Sequence, residues 1–551
     1  MIPQNPLLVD TGRGFSVFYQ GRYLYNKKTP VDSAERKVRH LTILPKTVLF
    51  LPSPLLFYGI ETLLQSLPED CLVLAFETEG QLCKLYEKTG ITIPDDNRFH
   101  YLINDIPGAL QKLRKAGIHN FRRVSIITLT GGYLLNKDGY RRILKVLEAA
   151  VKEFWQNRMT EIHLSPLWIR NIFLNLASLA EHQNRIIKWD FAGIENSRPV
   201  LVAGAGESLE ESIPRIKRHQ NGLVIVAVDT AVSALIHSGI TPDYIVAVDA
   251  QVYNLFDFIG IKKSSIPLFF DLTCYPSIVR NFKGPLYPFL SVFSDNTLIS
   301  RIRNRFENLT ILPPLGSVGI TAVYIALMMS DGPVIHTGLD FSYLLGKSHA
   351  RGTPFHSSIL FDTTRLLPVE NIGGFFNRPF IKVEDKTGKE RVTNTILYSY
   401  AKLMNEYFGK EKRLYDLGTV GLRSAGKIMS EIDEAVIGDS SIPAAEKESE
   451  RIRALSETGR LKNISFLEEE LKKIKDLHSE LYHFLTGETS TSNVVKELLT
   501  SMDYLFKHFP DFPPKDEAAP DYIKRVLLSA EYFSGILSKS LSITLEDRKK
   551  S

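Results

Sequence analysis

Cysteine is scarce in this chain: Cys71, Cys83 and Cys274 lie far apart and form no CxxC pair, which argues against a disulfide framework and a structural zinc site and fits a reducing cytoplasm. A long uninterrupted apolar run is also missing. The most apolar stretch, Ile43 to Ile60, contains Pro45, Lys46, Pro52 and Pro54, so it reads as a buried strand and turn rather than a membrane span. Met1 to Asp10 lacks the basic start and apolar core of an export signal, and a cytoplasmic location is expected. A strong charge bias is absent too: 67 basic against 62 acidic residues leave a net charge of +5, too little to imply a nucleic-acid or membrane surface. What remains is an ordinary globular composition, 44% hydrophobic and 23% charged, over 551 residues. At about 100–200 residues per domain, two to four domains are expected.

The first third opens with a strand at Thr47 to Leu51, a helix at Ile60 to Leu67 and a second strand from Cys71 to Glu77. This order is that of a nucleotide-binding α/β unit, in which the strand-end acid can hold a ribose hydroxyl. The GxGxxG loop is missing, however, so a structural relic of such a unit is favoured over a working dinucleotide or methyl-donor site. A strand at Val124 to Leu129 and a helix from Gly139 to Asn157 complete it.

From Pro199 the pattern becomes sharper. Val200 to Ala203 is a strand, Gly204-Ala-Gly-Glu-Ser208 a glycine loop opening a helix, and Leu223 to Val228 a strand ending at Asp229. Thr230 to Ser238 is helical, and Tyr244 to Val248 is a strand ending at Asp249. Strands near Leu268 to Phe270 and Leu286 to Ser291 lead to Gly316-Ser-Val-Gly319, a helix over Thr321 to Met329, and a strand Val334 to Thr337 ending in Gly338-Leu-Asp340. Ligands of open parallel sheets bind beyond the carboxyl ends of the strands, so the glycine loop and the three acids should line one crevice. After Phe341 about fifty residues show little periodicity and suggest a long functional loop carrying Lys347, His349 and Arg351. Thr395 to Phe408 resumes a helix, and Arg413 to Leu417 is a last strand. Past about residue 430, Leu467, Leu471, Ile474, Leu477, Leu481 and Phe484 recur at helical spacing, as do apolar positions over Tyr522 to Ile543. The expected layout is an N-terminal α/β domain at 1–190, a central domain at 195–425 and a C-terminal helical domain at 430–551.

Gly204 and Gly206 let a phosphate approach the backbone, and the helix after Ser208 offers unpaired N–H groups and a positive dipole end. Gly316, Ser317 and Gly319 repeat the arrangement, so two helix starts can surround one anionic leaving group without a metal.

The ordered set Gly204-Ala-Gly-Glu-Ser-Leu209, Val226-Ala-Val-Asp-Thr-Ala231, Pro242 to Asp249, Gly316 to Gly319, Gly338-Leu-Asp340 and Lys347-Ser-His-Ala350 resembles the central domain of motility accessory factors. The resemblance implies a Rossmann-like, sialyltransferase-like glycosyltransferase. Such an enzyme moves a nonulosonic acid from its CMP ester to Ser or Thr of flagellin, with flagellin and the CMP-sugar as partners and no cofactor or metal required. Gly338-Leu-Asp-Phe-Ser342 is similar to a strand-end pattern of bacterial sialyltransferases. Three departures stand out. Asp229 and Asp249 occupy positions where those enzymes carry asparagine; Glu207 places a carboxylate in the first loop; and their late histidine has no counterpart at Val392 or Thr393.

The implied donor and leaving-group residues are Gly204, Gly206, Glu207, Ser208, Asp229, Thr230, Gly316, Ser317 and Gly338. The chemistry needs anion stabilisation, a negative charge near the oxocarbenium-like sugar centre, and a base for the acceptor hydroxyl. Helix starts with Ser208 and Ser317 meet the first need, Asp249 or Asp340 the second, and His349 or one of the same acids the third; His336 and His356 are weaker candidates. A strand-end aspartate is equally suited to capping a helix. Two other readings stay open: a Mg²⁺-dependent pterin diphosphokinase, similar over the same central segment, and a non-catalytic flagellin-binding assembly factor.

Overall fold

The computed structural model describes residues 5–182, 185–187, 189, 198–261, 265–293, 295–307, 309–344, 346–369, 379–432, 457–487, 492–514 and 516–546. The chain divides into two compact units, Met1–Glu161 and Ile162–Ser551.

In the first unit, β1 (Leu7–Asp10), β2 (Phe15–Tyr19) and β3 (Arg22–Tyr23) form a small antiparallel sheet, followed by α1 (Pro30–Arg39). A four-stranded parallel sheet then assembles from β4 (Thr47–Pro52), β5 (Leu72–Glu77), β6 (Phe99–Ile103) and β7 (Arg123–Ile126) in the order β6-β5-β4-β7. Side chains alternate across a strand, and here both faces are covered. Leu49, Leu51, Val73 and Ala75 pack with Leu63 and Leu64 of α2 (Ile60–Ser66). Val48, Phe50, Leu72 and Leu74 pack with Leu113 of α3 (Ile106–Lys115) and with Tyr140 and Leu147 of α4 (Lys137–Glu181). Strands covered on both faces read as the continuous apolar runs seen in the sequence. Helix α4 is far longer than Gly139 to Asn157, and the division between the units falls within it.

Glu77, the strand-end acid, is fully buried. It accepts hydrogen bonds from Ser53 Oγ and Tyr140 Oη, each at 2.8 Å, and from the N–H groups of Thr78 and Glu79 at 3.0 Å. Its carboxylate is therefore committed to protein donors, and a ribose hydroxyl would have to displace them.

The second unit contains a nine-stranded sheet whose paired strands are all parallel. Its strands are β8 (Val200–Ala203), β9 (Val224–Val228), β10 (Tyr244–Ala247), β11 (Leu268–Asp271), β12 (Leu286–Ser291), β13 (Thr310–Leu312), β14 (Val334–Thr337), β17 (Leu414–Asp416) and β18 (Lys427–Ile428), in the order β13-β12-β11-β10-β9-β8-β14-β17-β18. The chain builds outward from β8 to β13, then returns to lay β14 on the other side of β8. That reversal makes β8 and β14 a topological switch point, where an open α/β sheet leaves a crevice at its carboxyl edge. Helices α5 (Ser208–His219), α6 (Asp229–His237) and α9 (Val318–Met329) start at that edge; α7 (Pro276–Asn281) and α8 (Thr297–Arg305) complete the outer crossovers.

The stretch after Phe341 is more ordered than its weak periodicity predicts. It holds α10 (Pro354–Asp362) and an antiparallel hairpin, β15 (Ile381–Glu384) with β16 (Glu390–Thr393). The helix begins at a Thr353 cap with proline in its first turn, and the hairpin turns at Asp385 to Gly388; both depend on short local signals that an apolar-period reading passes over. Helix α11 (Thr395–Phe408) precedes β17. The C-terminal helices α12 (Glu457–Thr486), α13 (Ser492–Ser501) and α14 (Pro520–Glu546) place Leu467, Ile474, Leu477 and Leu481 in the same core as the sheet. They are held to α8 by Arg301, whose Nε and Nη2 lie 2.6 and 2.7 Å from the two oxygens of the fully buried Glu470. No described helix is long and apolar enough to cross a membrane.

Candidate functional site

The loops after β8 and β14 interlock at the switch point. Gly204 N donates to Thr337 O and Gly206 N to Gly338 O, both at 2.8 Å. A Cβ on Gly338, which has φ +71°, would stand 2.1 Å from Gly204 O, and one on Gly204 would stand 2.5 Å from Gly338 O. Leu339 wedges between the two glycine loops, since a Cβ on Gly204 or Gly319 would meet its Cδ2 at 2.5 or 2.4 Å. The glycines expected to admit a phosphate are thus already used to bring two protein backbones together, and Leu339 draws the starts of α5 and α9 side by side.

Those two helix starts differ. Ser208 N donates to Asp340 Oδ2 at 2.8 Å, Ser208 Oγ donates to Asp340 Oδ1, and Gly338 N donates to Ser208 Oγ at 2.9 Å. Asp340 is buried and caps α5 from a different strand, so this helix start already holds a carboxylate. Burial raises its carboxyl to about 6 against the pull of Ser208 and Lys386. The start of α9 is open: Gly316 is exposed, Ser317 is half-buried, and the Ser317 side chain makes no capping bond to its helix.

Glu207 is neutralised rather than left facing a ligand phosphate. Arg391 Nη1 lies 2.5 Å from its Oε2, and Lys347 Nζ lies 3.9 Å from Oε1 and 2.9 Å from Glu210. Ala350 N donates to Ala205 O at 2.8 Å, and a Cβ on Gly352 would touch Ala234 of α6, so the Lys347 to Thr353 loop is docked across the glycine loop and α6. His349 on this loop pairs its Nδ1 with Ser348 Oγ at 2.8 Å and packs against Phe355; burial lowers it to about 4, leaving a neutral, weakly basic imidazole at neutral pH. His336 is buried with its Nε2 2.8 Å from Ala425 O.

The acids fall into two groups. Asp340 is grouped with Lys386 and Asp416, which are 2.5 Å apart. Asp229 and Asp249 are grouped with Asp257, from the 3-10 segment Val252–Phe258, which sequence reasoning missed because an irregular loop offers no periodic signal. Asp229 is buried; its Oδ1 accepts from Thr230 N at 2.8 Å, and its Oδ2 has no partner in good geometry among the described residues, although the Asn254 side chain is near enough to favour the carboxylate. Asp249 opens to solvent and accepts from Gln251 N at 3.0 Å. Burial, with repulsion among the three carboxylates for the first two, pushes Asp229 up to about 6 and Asp257 up to about 7; burial alone among the main causes raises Asp249. Tyr400 of α11 joins this cluster to the open helix start: its Cε1 would be 3.1 Å from a Cβ on Gly316, and Asp249 is close enough to add to the rise in its pKa that burial begins. From α4, Asn171 Nδ2 donates to Ala250 O and Thr273 O at 3.0 and 2.9 Å, latching the loops after β10 and β11. Among the described residues no cluster of His, Cys, Asp and Glu is arranged to hold a metal ion. A separate cleft of about 830 Å³ beside the β15–β16 hairpin is lined by Lys386, Tyr398, Asn405 and Arg423 and includes none of Asp229, Asp249, Asp257, Asp340 and Asp416.

The family described as 6-hydroxymethylpterin diphosphokinase MptE-like matches residues 170–345, from the end of α4 through β14. An uncharacterized protein of Treponema pallidum (strain Nichols) is 27% identical over 551 residues, 97% of this chain and 95% of that one. A second uncharacterized protein of that organism is 29% identical over 111 residues, 20% of this chain and 50% of that protein. Among solved structures, the MAf glycosyltransferase from Magnetospirillum magneticum AMB-1 is similar with a TM-score of 0.54 at 14% identity, over 99% of this chain and 91% of that one. The resemblance read from the ordered motifs is borne out: this chain shares the fold of a motility accessory factor glycosyltransferase and carries an MptE-like segment at its centre.

Proposed function

We propose that the protein is a glycosyltransferase that moves a nonulosonic acid from a CMP-activated donor to Ser or Thr hydroxyls of flagellin in the cytoplasm, without a metal cofactor. The observation that carries this reading is the open start of α9 at Gly316 and Ser317 standing, through Tyr400, beside Asp249. A leaving phosphate on those helix N–H groups and an oxocarbenium-like carbon near the carboxylate would both be stabilised by groups that are fixed before reaction. Half-buried Thr230 borders the same space and is suited to a hydroxyl of the donor, with the buried Asp229 accepting from its N–H behind it. The docked Lys347 to Thr353 loop, with Glu207 already paired, narrows the other side.

The test is transfer by the full chain, with CMP-nonulosonic acid as donor, purified flagellin as acceptor, and intact mass as the readout. A mass increment on flagellin, together with CMP binding by calorimetry in the presence of a chelator, is expected. The match over residues 170–345 favours one second reading, a 6-hydroxymethylpterin diphosphokinase. That enzyme would bind ATP only with Mg²⁺ and leave flagellin unmodified, so the same two measurements separate the readings.

A further inference from the structure

The 3-10 segment Val252–Phe258 has two faces. Val252, Tyr253 and Phe256 point to solvent, with Tyr253 71% exposed, while Asn254 and Phe258 are buried and Asp257 is half-buried. Asp257 Oδ2 lies 3.5 Å from Thr230 Oγ1, which is itself 3.3 Å from Asp229 Oδ1, so the hydroxyl of Thr230 sits between two carboxyl groups. Two buried polar atoms beside them lack well-formed partners. Among the described residues neither Asp229 Oδ2 nor Asn254 Nδ2, on a residue 7% exposed, has a partner in good hydrogen-bond geometry, although the Asn254 side chain is close enough to Asp229 to favour the carboxylate. Orphaned buried groups of this kind are rare in a folded chain and mark a place where a polar group is to be received.

A donor without an acceptor next to half-buried Asp257 matches an alcohol, which gives one hydrogen bond and takes another. Of the three acids, Asp229 is shut from solvent, and Asp249 has one oxygen engaged by Gln251 N. Among the described residues Asp257 is held only by the long contact to Thr230, and it is reachable from outside. We propose that Asp257 is the base that takes the proton from the acceptor hydroxyl, with Asn254 donating to the same oxygen and the Val252–Phe256 ridge seating the polypeptide that carries it.

The proposal rests on the glycosyl-transfer reading. In the step, the acceptor oxygen forms a bond to the anomeric carbon while its proton passes to Asp257. The bond from that carbon to the phosphate oxygen breaks, and its electron pair leaves with CMP. The proton is then released to solvent. The charged and titratable groups facing Asp257 are Asp229 and Asp249, and Tyr400 and Cys274 lie close enough to sense those acids. Burial first, and then repulsion from Asp229 and Asp249, makes Asp257 a stronger base than an isolated carboxylate.

The experiment compares full-length wild type with Asp257→Asn, Asp257→Ala and Asp229→Asn in the flagellin transfer assay and in CMP calorimetry. Asp257→Asn should lower kcat by roughly 10²–10⁴ and keep CMP affinity within about threefold, which also shows that it folds. Formate should restore part of the activity of Asp257→Ala, a rescue that a merely structural role would not allow. Wild-type kcat should fall on the acid side of neutrality, and in Asp229→Asn that fall should move to lower pH, because a neighbouring negative charge has gone. Transfer by Asp257→Asn within about threefold of an active wild type, or loss of CMP binding in that variant, would overturn the assignment of the base alone. A wild type that transfers nothing would overturn the glycosyl-transfer reading and the base with it.

Discussion

Replacing Gly338 with alanine would force apart the two loops that form the floor of the crevice. Its φ of +71° places the residue in the left-handed region, which costs a residue with a Cβ about 1–2 kcal/mol. The added Cβ would stand 2.1 Å from Gly204 O and 2.5 Å from Gly204 C, and backbone atoms cannot rotate out of the way as a side-chain tip can. Separation of the loops would cost the bonds from Gly204 N to Thr337 O, Gly206 N to Gly338 O and Gly338 N to Ser208 Oγ, at about 1 kcal/mol each. The expected loss is therefore about 4 kcal/mol. Gly388→Ala is the control: at φ +81° it carries the same conformational strain, with nothing within 4 Å of the added Cβ, and should lose only about 1 kcal/mol. Because the chain has two units, one global transition is not a safe measure, and hydrogen exchange of peptides covering residues 200–212 and 334–342 reads the effect locally. Protection there should fall roughly a thousandfold in Gly338→Ala and far less in Gly388→Ala. Equal protection in the two variants would refute the argument that backbone contact, rather than glycine conformation alone, holds this junction.

Arg301→Ala should destabilise the C-terminal helices by about 3–5 kcal/mol, because Glu470 is fully buried and would lose its bidentate partner; exchange in residues 457–486 measures it, and Arg301→Lys should recover little. Asn171→Ala removes the donor shared by Ala250 O and Thr273 O, and a local loss of about 1–3 kcal/mol should appear as faster exchange over residues 249–275. His349 titrates near 4 in the folded protein against 6.5 unfolded, so its contribution to stability is full above about pH 6.5 and is lost as pH falls toward 4. The melting temperature of His349→Gln should accordingly depend less on pH across that window than that of wild type.

Local pattern carried much of the second unit's secondary structure. The apolar runs at Val200 to Ala203, Leu223 to Val228, Tyr244 to Val248 and Val334 to Thr337 are strands because a residue's neighbours two and four positions away already determine whether both faces of a strand are apolar. The glycine loops, the strand-end acids and the C-terminal helical stripes are legible for the same reason. Even α10 announces itself locally, through Thr353 and Pro354, once capping chemistry is read alongside periodicity.

Pairing was decided only in three dimensions. No local signal says that β14 returns to lie against β8, and that single placement puts Asp340 on Ser208, 132 residues away, and turns a candidate catalytic acid into the cap of α5. Arg391 meets Glu207 across 184 residues and neutralises the carboxylate that looked out of place beside a phosphate. The separation of Asp340 from Asp229 and Asp249, and the arrival of Asp257 and Tyr400 beside those two, follow from strand order. Strand termini identify which residues reach the carboxyl edge of a parallel sheet, since chain direction is a local property. Which of them become neighbours depends on the order in which strands pack, a property of the whole core that no segment encodes alone.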